Sequence, residues 1–192
     1  MTRTIKVGLL LWALVALAVG SSGVMAGYPV RVAQTIGAAL LFAQVIFFFL
    51  SKTFRTTVLR WSLRSLTLFQ SWRIIPGTLF LYYYYALGQL PFSFAVIGGY
   101  GDILIGLTAI LICPLGTADG PRLLKILLVW QIFGLLDLLF VIRAGFMASL
   151  ADPAIMRPLT HLPLILLPLF LVPITLFAHF ISIAGLIQRL RR

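Results

Sequence analysis

The chain reads as an all-α integral membrane protein: one domain spanning residues 1–192, built as a bundle of about six transmembrane helices. Three observations lead there. Of 192 residues, 61% are hydrophobic and 10% charged, with a mean hydropathy of +1.10, whereas a soluble globular domain carries roughly a quarter charged residues. The apolar residues fall into six long runs, and a helix needs about 20 mostly apolar residues to cross about 30 Å of hydrocarbon. The formal charge of +11 is concentrated in the short segments between runs rather than on a polar face. It therefore reads as a topology signal, and no nucleic-acid partner is expected. Helices are chosen over a closed barrel, the other backbone-satisfying solution in lipid, because the runs are long and unbroken.

The first run covers residues 6–26, preceded by Arg3 and closing on Ser21, Ser22, Gly23, Val24, Met25 and Ala26. A charged start, an apolar middle and small residues at the end also describe a secretory signal peptide. We take the run as a retained helix, and either reading leaves the later helices in the same orientation. The second run is 32–51. The loop after it carries Lys52, Arg55, Arg60 and Arg64, with Phe54, Val58 and Trp61 at helical spacing. This segment is either a plain tether or a short helix in the headgroup layer with its arginines towards anionic lipid.

The third run is 66–88. Gln70, Arg73, Gly77, Tyr84 and Gly88 share one stripe at about 100° per residue, and Pro76 should bend the helix next to Arg73. In the fourth run, 92–116, Gly98, Asp102 and Gly106 recur every four residues, joined by Ala109 and Cys113. Small residues around a carboxylate let a neighbouring backbone come close. The fifth run, 123–147, sets Gly134, Asp137, Val141 and Ala144 on one face. The sixth, 161–187, holds both histidines and Pro163, Pro168 and Pro173, which should bend or loosen it.

With six spans, Arg3, Lys6, Lys52, Arg55, Arg60, Arg64, Arg122, Lys125, Arg189, Arg191 and Arg192 fall on one side. Arg31 and Arg157 fall opposite, with Arg143 near that end. Positive residues are retained in the cytoplasm, so the expected location is a bacterial inner membrane with both termini cytoplasmic. Anionic lipid headgroups at that face are the expected contact. A membrane-protein partner or a second copy would be met in or beside the bilayer.

Charged residues at membrane depth are the functional candidates, since a central Arg or Asp costs about 2.5–3.5 kcal/mol on insertion scales and calls for a partner. Arg73 should pair with Asp102 or Asp137. One positive and two negative charges leave an excess of −1, which a low-dielectric site opposes, so a carboxyl that takes up a proton is also admitted. His179 is read as a hydrogen-bonded bundle residue, flanked by Thr175 and Ser182, or as part of the same polar site with Gln70, Tyr84 and the charged triad. On one continuous helix His161 and His179 would lie about 27 Å apart along the axis, too far to share a metal or haem. Cys113, the single cysteine, has no metal-site pattern around it. No cofactor or metal is expected.

The string Gly99-Tyr100-Gly101-Asp102 resembles the GxGD element of intramembrane aspartyl proteases and prepilin peptidases. The resemblance implies a hydrolase in which Asp102 and Asp137 share a proton, although in those families the partner Asp precedes the GxGD element, and here Asp137 follows it. A broader pattern runs from Gln70-Ser71-Trp72-Arg73 through Leu90-Pro91, the GxGD string and Gly134-Leu135-Leu136-Asp137 to the proline-rich last run. It resembles a group of uncharacterised small bacterial polytopic membrane proteins. Three functions follow as expectations: a structural or partner-binding membrane subunit, a proton-coupled small-molecule transporter, or a GxGD-like aspartyl hydrolase.

Overall fold

A computed structural model of the chain describes residues 3–117 and 120–191. Arg192, one of the basic residues of the topology argument, lies outside the described residues. The helices are α1 (Arg3–Ser21), α2 (Val30–Leu50), α3 (Lys52–Leu59), α4 (Leu63–Phe69), α5 (Ile74–Tyr85), α6 (Phe92–Ile112), α7 (Pro121–Ala151) and α8 (Val172–Leu190). Among the described residues, five stretches are long and apolar enough to cross a membrane: Arg3–Ser21, Val30–Leu50, Phe92–Thr117, Pro121–Ala151 and Leu167–Leu190. Large side chains such as Phe42, Leu50, Leu104, Leu111 and Phe133 are exposed on their outer faces. An apolar surface of this extent suits lipid tails and not water, and the chain is a polytopic membrane protein.

The third predicted span is the one built differently. It consists of α4, a 3₁₀ turn at Gln70–Arg73, and α5. Pro76 has no N–H for the carbonyl of Trp72, and its ring crowds that carbonyl. The chain tightens just before it, and the Ile74 N–H donates to the carbonyl of Ser71, three residues back. The tightened turn ends on Arg73.

The prolines of the last run act similarly. Residues before Leu167 form turns; Leu167–Leu171, which contains Pro168, is a π turn in which the Val172 N–H reaches back to Leu167 O; regular helix starts at Val172. The final membrane-crossing helix thus begins at Leu167 rather than at residue 161, and His161 lies outside it. At the other extreme, α7 has 31 residues, more than the roughly 20 a span requires, so it tilts or projects from the bilayer.

α8 lies at the centre of the bundle, in contact with α2, α3, α4 and α7, while α5 packs along α6 and α6 against α7. The segment after α2 is helical and docked: the Ser51 side chain accepts the Phe54 N–H at 3.2 Å, capping α3. Phe54 stacks on Phe177 with centroids 5.9 Å apart, and Val58 is buried. The tether reading is thereby set aside, because the Phe54 and Val58 face is buried against α8. α1 is the most loosely held element. Trp12 anchors it, donating from Nε1 to Leu169 O at 2.9 Å and lying edge-on to Phe170.

Candidate functional site

Arg73 is fully buried between α5, α6 and α7. Its Nε and Nη2 both lie 2.6 Å from Asp102 Oδ1, Nη2 also donates to Asp137 Oδ2, and Nη1 donates to the carbonyl of Gly134 at 3.0 Å. One guanidinium therefore joins three stretches of chain through charge-assisted hydrogen bonds, the strong kind. The two carboxylates differ in exposure. The Asp102 side chain is 4% accessible and that of Asp137 23%.

Glycines create the room for this cluster. A Cβ on Gly77 would lie 2.6 Å from Gly99 O and 3.0 Å from Asp102 Cβ, so α5 and α6 meet backbone to backbone beside the ion pair. A Cβ on Gly106 would lie 2.9 Å from Ile74 N, where α6 presses on the tightened turn, and one on Gly98 would meet Val141 Cγ2 at 2.9 Å. A Cβ on Gly101 would collide with Asp137 Oδ1. The GxGD string sits inside the continuous helix α6, and its two glycines make space for Gly77 and Leu81 on one side and for the Asp137 carboxylate on the other.

Next to the clamp runs a second polar chain. Gln131 Nε2 donates to Thr67 Oγ1 at 3.1 Å, which leaves Gln131 Oε1 facing His179 Nδ1 at 2.6 Å. Nδ1 is then the donor, and in the neutral imidazole Nε2 is an acceptor. The Trp72 indole donates to Thr175 Oγ1 at 3.1 Å, and Thr175 donates to Leu171 O at 2.6 Å. Gly134 connects the two groups: its carbonyl takes the Arg73 hydrogen bond, and a Cβ on it would lie 2.7 Å from His179 Cε1. Both amide atoms of buried Gln70, His179 Nε2 and Ser182 Oγ have no hydrogen-bond partner among the described residues.

The structure thus brings Arg73, Asp102 and Asp137 into direct contact, with His179 on the far side of Gly134. Gln70 is buried a turn before Arg73 and bonds to none of them. Tyr84 is placed elsewhere, in an apolar cluster where its ring lies 4.9 Å from Tyr85 and 5.9 Å from Phe92. His161 is exposed, with Nδ1 3.1 Å from Thr160 Oγ1 and Arg157 O. It lines a polar surface cleft with Tyr83, Gln89, Asp152 and Arg157. Sequence reasoning missed Gln131 and Thr67. A glutamine in an apolar run, three residues before Gly134, was the available signal for the first; a lone threonine near a helix start carries none.

Chemically, the cluster can hold three backbone segments in one register and can store an unbalanced negative charge. Asp137, the more accessible carboxylate, is where that charge meets the surroundings. No curated protein and no solved structure matches the chain. One family model matches residues 29–187, from just before α2 into the last turn of α8, with every residue of the clamp inside the match. The chain therefore belongs to the family described as Domain of unknown function (DUF8737).

Proposed function

We propose that this chain is a structural or partner-binding subunit of the bacterial inner membrane, with both termini cytoplasmic, and that the Arg73 clamp locks its helices into one arrangement. The observation behind this reading is that a single guanidinium bonds both carboxylates and the Gly134 carbonyl. A fully bonded cation among packed glycines is what a fixed joint needs. The same observation argues against the aspartyl hydrolase, in which the two carboxyls share a proton and activate a water between them; here Arg73 bonds to both.

A second reading, proton-coupled transport, is favoured by the unequal exposure of the carboxylates, because Asp137 at 23% has access that Asp102 at 4% lacks. Purified protein in liposomes loaded with a pH-sensitive dye separates the two. The structural reading expects no protein-dependent proton flux under an imposed gradient, in wild type or Asp137→Asn. Flux in wild type that Asp137→Asn abolishes would transfer the assignment to transport.

A further inference from the structure

A large cavity lies away from the clamp. It measures about 1310 Å³ and lies between α1, α2, the α3–α4 corner and α8. That exceeds the roughly 300–1,000 Å³ typical of small-molecule pockets. One wall is α1, whose residues Ile5, Gly8, Leu9 and Trp12 line it; this helix touches the bundle at its ends and through Trp12, with Ile5 on the Val58 and Phe177 cluster and Trp12 on Leu169 and Phe170.

The lining is graded along its length. Trp12, Leu40, Phe47, Phe69 and Phe177 supply an apolar wall, and Gln44, the polar side chain among them, is turned back onto Leu40 O at 3.2 Å. Polar groups gather at the basic end of the bundle, where Thr57, Arg60, Trp61, Ser62 and Ser65 form the rim. Arg60 is exposed and makes no ion pair with a described carboxylate. The Trp61 indole N–H is buried and has no acceptor among the described residues. A smaller cavity on another side of Trp61 adds Arg189 to the same corner.

We infer that this cavity holds an anionic phospholipid, its phosphate on Arg60 at the rim and its acyl chains along the wall from Phe47 to Trp12. Charge complementarity selects the headgroup: the Arg60 cation and the Ser62 and Ser65 hydroxyls converge on one end of the lining, and no carboxylate is among the lining residues. The long apolar wall selects acyl chains over a soluble anion. The position selects a membrane lipid, since the mouth lies where the positive residues of the chain collect, and basic residues at a membrane surface attract anionic lipid.

The test uses the full-length protein, purified in detergent, stripped of lipid and incubated with equimolar phosphatidylglycerol and phosphatidylcholine, with bound lipid counted by native mass spectrometry. Wild type is expected to retain one phosphatidylglycerol in preference to phosphatidylcholine. Arg60→Gln should weaken that retention about fivefold, the factor one surface arginine contributes, while Lys125→Gln, at the same end but outside the cavity, should not. Ala43→Phe, which fills the cavity from the exposed side of α2, should abolish retention of either lipid without unfolding the bundle. Equal retention of the two lipids by wild type would overturn the headgroup assignment. Phosphatidylglycerol retention that survives Ala43→Phe would place the lipid outside the cavity and overturn the site.

Discussion

Replacing Arg73 by alanine is the most discriminating perturbation of the clamp. The guanidinium bonds to three acceptors on α6 and α7, and hydrogen bonds between helices inside membranes average about 0.6 kcal/mol, which sets a floor near 2 kcal/mol for the three. Two carboxylates, one of them 4% accessible, are then left together without a cation. Breaking a buried pair from one side costs about 3–5 kcal/mol, and Arg73→Ala is expected in that range. Asp102→Asn alone should cost far less, because the amide oxygen still accepts from Arg73 and the charges become one to one. In the Arg73→Ala background the same change should recover part of the loss. Reversible SDS unfolding in bicelles, followed by fluorescence of Trp72 and the other tryptophans, gives the four corners of each cycle. The Arg73–Asp102 coupling should exceed that of Arg73 with the more exposed Asp137. If both couplings fall within the roughly 0.3–0.5 kcal/mol expected of independent sites, the three residues are not one electrostatic unit.

Three further outcomes are expected. Gly101→Ala drives a methyl into Asp137 Oδ1 and should destabilise by about 1–3 kcal/mol, as overpacking does; an undiminished cost in an Asp137→Ala background would show that the collision lies elsewhere. Gly134→Ala places a methyl 2.7 Å from His179 Cε1 and should cost a similar amount, about 1–3 kcal/mol, relieved by His179→Ala in unfolding measurements; no relief would mean that Gly134 is needed for another reason. Reporters fused after Arg192 and inserted near Arg60 should both be cytoplasmic, because the positive residues collect at that end, and a periplasmic signal from either would overturn the helix count.

The membrane class and the helical architecture were legible in the chain itself, because hydrophobic length acts locally and needs no partner. The pairing of Arg73 with carboxylates was legible for the same reason, since a lone charge at that depth is too costly to leave unmatched. The bonding of both carboxylates to one guanidinium was a tertiary outcome. It depends on how closely α5, α6 and α7 approach, and that distance is set by Gly77, Gly99, Gly101 and Gly134 meeting particular backbones and side chains. The 3₁₀ turn that ends on Arg73 was signalled only as a bend near Pro76, because the energy of a displaced hydrogen bond can be taken up at several neighbouring residues. Tyr84 shared a helical stripe with Arg73 yet packs with Phe92, since eleven residues of helix carry it about 16 Å further along the axis, beyond reach of the clamp. Gln131 and Thr67 join His179 across three helices; residues far apart in the chain meet through packing, and no local pattern records that.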